Sequence, residues 1–392
     1  MKNRFLIAVF FLFCFSPGLV HALPPLSALY GPWGFTFLTH DNTNTWKAEG
    51  GQIVFNPDGS GNVTTFRNND GSVGNTSNLF TYSASVNPNG TLTLNLLSPG
   101  TDSFTCILSD SLDMIFVDGT QDLSQQWIGV LIKLKDWPYV NGDFVGDYNV
   151  VAYEHVHSPV IFKYKASAFK INSNGIGAIS GEGFTNDTGA WVPALQPFTV
   201  SNTYTFATFS SPFLSFVAGT SPDVGTLSAN ANMALWVQRG KALLGQNIYY
   251  GLYFGLKREA RTYSNADLAG KWIVVGFGDS AGTGFGTLIG SMHCDSFGQC
   301  QVAIKSQFNG SIIYDIGPSI TKTVATDGTF GLSYGPSSPP YAAVIGNNGN
   351  TLYLTNGFSS DPPPDSRTVI IGLRCNDCAI PLVYYLPLVL RN

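Results

Sequence analysis

Gly31-Pro-Trp33-Gly-Phe-Thr-Phe37, Gly146-Asp-Tyr148-Asn-Val-Val151 and Gly270-Lys-Trp272-Ile-Val-Val275 open three segments of the chain in the same way. Each then reaches a turn: Asn56-Pro-Asp-Gly59-Ser-Gly61, Asn172-Ser-Asn-Gly175-Ile-Gly177 and Asp295-Ser-Phe-Gly298-Gln-Cys300, lying 23, 24 and 23 residues after the aromatic residue. A second turn-and-strand signal follows at Asn89-Gly-Thr-Leu, Asn202-Thr-Tyr-Thr and Asp327-Gly-Thr-Phe, spaced 33, 30 and 32 residues from the first. Each segment closes on an apolar strand that ends in a cation: Gly129-Val-Leu-Ile-Lys133, Tyr253-Phe-Gly-Leu-Lys257 and Val369-Ile-Ile-Gly-Leu-Arg374. Four landmarks recurring in one order define three tandem units, at 23–135, 141–258 and 265–375.

Within the units, stretches such as Thr91-Leu-Thr-Leu-Asn-Leu96 and Thr351-Leu-Tyr-Leu-Thr355 alternate polar and apolar residues. That period is the period of a strand with two unlike faces, and Asn/Asp-Gly dipeptides between such runs supply the positive φ that tight hairpins need. The one short helical pattern, Asn265-Ala-Asp-Leu-Ala269, precedes the third unit. About eight strands per unit must hide their edges, and closure into an antiparallel up-and-down barrel does so. The expected fold is therefore all-β, three tandem eight-stranded barrels, with a β-propeller of two blades per unit as the alternative. The links Lys135–Asn141 and Arg258–Ser264 are short, so the barrels are expected to sit against one another.

Composition agrees. The 392 residues are 44% hydrophobic, 13% aromatic and only 11% charged, with 43 Gly and 22 Pro. A disordered chain lacks that apolar content, and a helical one would be rich in Ala, Glu, Lys and Leu. Met1-Lys-Asn-Arg4, the apolar run Phe5–Phe15 and Val20-His-Ala22 read as a secretory signal spanning 1–22. Its apolar run is too short to span a bilayer, so an integral membrane protein is not expected. Removing Lys2 and Arg4 leaves 18 basic against 25 acidic side chains and no basic stripe, which argues against a nucleic-acid partner. In an oxidising compartment Cys294 and Cys300, flanking a turn, are expected to bridge, and Cys375-Asn-Asp-Cys378 reads as a small disulfide in preference to half of a metal site. Cys106 is left as a buried thiol.

A short helical turn, then Gly-x-Trp on the first strand and an Arg or Lys on the last, resembles the signature of lipocalin and calycin barrels. The resemblance implies that the cation packs across the ring and closes one barrel end, pairing Trp33 with Lys133, Tyr148 with Lys257 and Trp272 with Arg374. The third unit fits best. The second carries Tyr in place of Trp, and the first has Pro32 in the motif and no clear helical turn before it. In that family the first long loop lids the open end. A ligand is accordingly expected at the mouths His40–Trp46, Tyr153–Ser158 and Gly278–Gly284, with His40, Trp46, Tyr153, His155, His157 and Asp279 as candidate contacts.

Catalytic constellations are weaker. Gly278-Asp-Ser280-Ala-Gly282 matches the serine-hydrolase elbow, but that chemistry needs a helix behind the serine and a glycine-rich run follows instead. Glu154-His155-Val-His157 would place two histidines on one face of a strand. No third ligand lies nearby in sequence, so the pair reads as two exposed loop histidines, with no metal and no cofactor expected. The expected function is that of a secreted or cell-surface, non-catalytic protein, binding a small apolar molecule or a cell-surface glycan or serving as a structural component; the alternative is a secreted polysaccharide-active hydrolase. The C-terminal stretch Ala379–Asn392 is apolar, interrupted by Pro381 and Pro387, and resembles the sorting tails of secreted bacterial proteins.

Overall fold

A computed structural model describes residues 25–41, 46–67, 73–87, 91–98, 102–118, 125–135, 138–157, 162–187, 196–206, 213–218, 221–241, 248–280, 284–308, 311–321, 323–333, 341–355 and 366–375. The signal segment 1–22, Cys378 and the tail 379–392 lie outside these. The first unit forms β1 (Gly31–Asp41), β2 (Trp46–Phe55), β3 (Ser60–Arg67), β4 (Val73–Val86), β5 (Leu92–Ser98), β6 (Asp102–Leu108), β7 (Met114–Asp118) and β8 (Gln125–Lys133). The second forms β9 (Val145–His157), β10 (Phe162–Asn174), β11 (Ala178–Asp187), β12 (Gln196–Phe206), β13 (Phe213–Ala218), β14 (Ser221–Leu227), β15 (Met233–Lys241) and β16 (Ile248–Lys257). The third forms β17 (Gly270–Ser280), β18 (Gly284–Cys294), β19 (Gln299–Phe308), β20 (Ser311–Thr321), β21 (Thr329–Ser333), β22 (Tyr341–Gly346), β23 (Thr351–Thr355) and β24 (Ser366–Arg374).

Neighbouring strands pair antiparallel in chain order, and the last strand of each unit pairs with the first: β8 with β1, β16 with β9, β24 with β17. Each unit is thus one closed eight-stranded barrel. A propeller is excluded, because blades are open sheets and here the edges are joined. The turn glycines Gly59 and Gly298 have φ of 81° and 85°, the left-handed region that makes Asn56–Gly59 and Asp295–Gly298 tight. Asn202, by contrast, lies inside β12 rather than at a turn. Without a following glycine, its polar neighbours simply alternate along a strand.

Every barrel is entered through a helical turn. Leu26–Ala28 precedes β1, where none is legible in the sequence; Asn141–Asp143 precedes β9, and α1 (Asn265–Leu268) precedes β17. In the first and third barrels this turn satisfies a buried donor. Each indole donates Nε1–H to the carbonyl four residues earlier, Trp33 to Leu29 and Trp272 to Leu268, both at 2.7 Å.

The barrels share a core that lies between them rather than inside any one. Alternation sends Trp33 and Phe35 inward, while Leu38 on the other face of β1 is also fully buried. It joins Ile107, Phe116, Val130 and Ile132 of barrel 1, Val151, Met233, Leu235 and Phe254 of barrel 2, and Ile273, Val275, Phe277 and Ile371 of barrel 3 in one continuous apolar cluster. The contact is close enough to require glycine: a Cβ on Gly34 of barrel 1 would sit 2.1 Å from Thr226 Oγ1 of barrel 2. At one end of this core an equivalent turn from each barrel meets. Asn347 Nδ2 donates to Asp113 Oδ2 at 2.9 Å, and Asn347 Oδ1 accepts from Asn230 and Asn232 Nδ2 at 3.4 and 3.5 Å. Backbone bonds complete the junction: Ala229 N–H to the Lys133 carbonyl (2.8 Å) and Asp110 N–H to the Arg374 carbonyl (3.2 Å). The linkers are held as well, since Tyr139 is buried and its hydroxyl donates to the Leu227 carbonyl at 2.8 Å.

Candidate functional site

At the end where each chain segment enters and leaves its barrel, the aromatic residue and the terminal cation lie together. Lys133 Nζ stands 4.5 Å from the Trp33 ring centroid, Lys257 Nζ 5.9 Å from Tyr148, and the Arg374 guanidinium carbon 4.7 Å from Trp272. Arg374 also donates from Nε to the Gly349 carbonyl and from Nη1 to the Ala269 carbonyl, both at 2.8 Å, and from Nη2 to the Asp267 carbonyl. Tyr148 compensates for the absent indole by donating its hydroxyl to the Ala231 carbonyl at 2.9 Å. Cys294 and Cys300 form a disulfide beside this layer in barrel 3, Cys106 is a buried thiol in barrel 1, and Cys375 is buried and disulfide-bonded.

The opposite ends carry the mouth segments. Residues 42–45, 158–161 and 281–283 lie outside the described residues, as do the side chains of Trp46, His157 and Asp279. His40 sits half-buried near the end of β1. Tyr153 and His155 are not mouth contacts. Both belong to β9, which continues to His157, and both are fully buried on its outward face. Tyr153 packs edge-on against Phe277 of barrel 3 at 5.0 Å, and His155 stacks on Tyr250 at 6.3 Å. The reading of two exposed loop histidines is therefore corrected: a thirteen-residue strand carries His155 into the common core. Among the described residues no group of three or more His, Cys, Asp or Glu is placed to hold a metal ion. Ser280 pairs with Gly284 across a hairpin, so a strand rather than a helix follows it and no nucleophile elbow forms.

The inward faces show where a ligand would meet functional groups. In β1 the residues in phase with Trp33 are Phe35, Phe37 and Thr39; across the hairpin Phe37 pairs with Glu49 and Thr39 with Lys47. On the other side Thr39 pairs with Trp127. The Trp127 ring meets Phe37 at 6.0 Å and Phe104 at 5.7 Å, both edge-on. Although they point inward, Phe37, Phe104 and Trp127 are only partly buried, and Lys47 and Glu49 are half-buried beside them. The Phe37 ring packs against Gly129, where a Cβ would come within 2.2 Å of it. Barrel 1 thus presents an aromatic wall and an ionisable pair toward its open end.

Barrel 2 repeats the theme with other residues. Glu154, in phase with Tyr148, faces inward half-buried and accepts a hydrogen bond from the Tyr253 hydroxyl. Tyr253 stacks on Trp236 at 5.2 Å with the planes 8° apart, and Phe169 approaches it edge-on at 6.4 Å. In barrel 3 the side chains at comparable depth include the aliphatic Leu288, Ile304, Leu354 and Ile370, with Ser306 paired to Leu288. Glu154 was legible in the sequence by counting even steps from Tyr148. Glu49 was not, because its face depends on the register across the β1–β2 hairpin.

Burial holds the Glu49 carboxyl above the ordinary carboxylate pKa, with Lys47 opposing from beside it. The folded state consequently binds that proton more tightly than the unfolded chain, and its contribution to stability declines as pH rises from the ordinary carboxylate range through the raised value of the folded state. We expect Glu49→Gln to melt with the parent near pH 4 and above it by pH 7 (about neutral), followed by thermal denaturation across that range. An advantage confined to low pH would contradict the assignment.

No family model and no curated protein matches the chain. Among solved structures it aligns with a protein of unknown function from the DUF3598 family of Nostoc punctiforme, at 10% identity over 61% of this chain and 100% of that one, with a TM-score of 0.23. It also aligns with a candidate AttH from Nitrosomonas europaea, at 7% identity over 91% and 97% of the two chains and a TM-score of 0.18. Likenesses of this size carry no argument about function. Among the described residues no helix is long and apolar enough to cross a membrane.

Proposed function

We propose that the chain is a secreted, surface-retained, non-catalytic binding protein built of lipocalin-like barrels, in which barrel 1 takes up a small, largely apolar molecule carrying a hydroxyl or amine head. The observation that carries this reading is the set Phe37, Phe104 and Trp127, inward-facing yet only partly buried, beside Lys47 and Glu49. A carboxyl group placed among aromatic rings costs free energy unless it has a polar partner, and a ligand's hydroxyl or amine is such a partner. The rings supply the apolar contact that dominates small-molecule sites. Glu154 over Tyr253 and Trp236 offers a second site of the same kind in barrel 2. Export is supported by the basic and apolar succession through Ala22, and retention by the resemblance of Ala379–Asn392 to sorting tails.

The test is titration of the purified chain with N-phenyl-1-naphthylamine, a compact aromatic amine that fluoresces in apolar surroundings. Saturable enhancement is expected, weakened about tenfold or more by Trp127→Ala, which corresponds to ~1.4 kcal/mol. Glu49→Gln should weaken it less. Enhancement indifferent to Trp127→Ala, or absent in the parent, would overturn the proposal.

A further inference from the structure

The outer wall of barrel 2 carries a second, chemically different site. Cross-strand register sets Asp147, Asn172 and Ser180 side by side on β9, β10 and β11, and Lys170 beside Glu182 in the next row. All five face away from the barrel interior and line a cleft of about 420 Å3, closed at one side by Arg258 of the linker to barrel 3. The cleft is organised. Asn172 Nδ2 donates to Asp147 Oδ1 at 2.7 Å, and Arg258 N–H donates to the Asp147 carbonyl at 2.8 Å. From barrel 3 the β20–β21 turn brings in Asp327. Burial raises its carboxyl pKa, but hydrogen bonds from Thr329 and the charges of Lys170 and Arg258 outweigh this and hold it below the ordinary value.

We propose that this cleft binds a neutral sugar. Its lining decides the class. A metal ion would meet Lys170 and Arg258, and a phosphate or sulfate would meet Asp147 and Glu182. A neutral polyol carries no charge to be repelled by either sign. Each sugar hydroxyl is at once donor and acceptor, so adjacent hydroxyls match acceptor-only carboxylates alternating with donor-only Lys and Arg groups and the two-sided amide of Asn172. A boundary between two packed domains is a common place for such a cleft, and its volume falls within the ~300–1,000 Å3 of small-ligand sites. The Tyr148 ring is buried inside the barrel, so no aromatic face stacks on the sugar, and binding is weak, with a Kd on the order of 1 mM. This inference is independent of the barrel-interior reading.

The experiment is saturation-transfer NMR and calorimetry on the full chain with methyl α-glucoside, methyl α-mannoside and methyl β-galactoside, each in turn, and with sodium phosphate and glycine as competitors. At least one glycoside should bind saturably, and Glu182→Gln and Lys170→Met should each weaken it about tenfold, while Ser77→Ala on the outside of barrel 1 leaves it unchanged. Both cleft side chains are exposed, so the variants should melt with the parent, which separates lost binding from lost fold. Absence of binding by all three glycosides would overturn the inference. So would binding that survives both substitutions, or displacement of the sugar by phosphate or glycine at lower concentration than the sugar itself requires.

Discussion

Expressed alone, residues 141–258 should yield an aggregated or loosely packed chain, although they contain a complete closed barrel. Outside that barrel Val151, Tyr153, Met233, Leu235, Val237, Leu252, Phe254 and Leu256 are buried against the other two barrels, none more than 1% exposed. Fully burying a large apolar side chain is worth roughly 1.5–3 kcal/mol. Stripping the cover from eight of them removes an amount comparable with the whole ~5–15 kcal/mol by which a typical domain is stable. The isolated unit would also expose a contiguous apolar surface, which drives association. Far- and near-ultraviolet circular dichroism with sedimentation velocity would decide the matter. Retained strand signal with lost near-ultraviolet signal, or rapid sedimentation, is the expected outcome. A monomer that melts cooperatively at the full chain's temperature would show that the barrels are independent and the common core incidental. The same reasoning applies at a single atom. Gly34→Ala should cost about 1–3 kcal/mol by overpacking against Thr226, and Gly34→Ala with Thr226→Gly should recover part of that loss.

The second large effect is expected at the closed end of barrel 3. Trp272→Ala should lower stability by about 3–5 kcal/mol, since the indole is fully buried and its loss leaves a cavity. Arg374→Met should cost about 3 kcal/mol, because three carbonyls (Asp267, Ala269 and Gly349) lose charge-assisted donors in a half-buried layer. Arg374→Lys should recover little of this. A single ammonium on a flexible stem cannot reproduce a planar fork that reaches three acceptors. In barrel 2, where Lys257 stands farther from its ring, Lys257→Met should cost no more than ~1 kcal/mol. Urea denaturation of the four variants tests the ordering. Equal losses for Lys257→Met and Arg374→Met would mean that the cation–ring contact, common to both, outweighs the carbonyl network found around Arg374.

Local chemistry was legible in the chain itself. A glycine three residues after an opening Asn or Asp marked Asn56–Gly59 and Asp295–Gly298, because a left-handed residue is needed there whatever surrounds the turn. The recurrence of Trp33, Tyr148 and Trp272 ahead of Lys133, Lys257 and Arg374 marked first and last strands, because closing a barrel brings these positions into register. Threefold recurrence also set the number of barrels. It did not protect against a false landmark: Asn202 mimics a turn residue but sits in β12, where tertiary pairing overrides a polar local sequence.

What only the tertiary structure decided is the second side of each strand. A strand buried on both faces reads as an unbroken apolar run, as in Val150-Val-Ala-Tyr153 and Ile273-Val-Val275, and such a run does not say what covers its outer face. Here the covering is another copy of the same unit, and that alone turns His155 and Tyr153 from expected mouth residues into members of a shared core. Glu49 and the cleft around Asp147 depend likewise on cross-strand register and on the approach of Asp327 from a neighbouring barrel. Sequence thus determined the barrels one by one, because turns and closure are local or repeated. Their union into one body, and with it the burial of Tyr153 and His155 away from any barrel mouth, was decided by packing between units, which no single unit encodes.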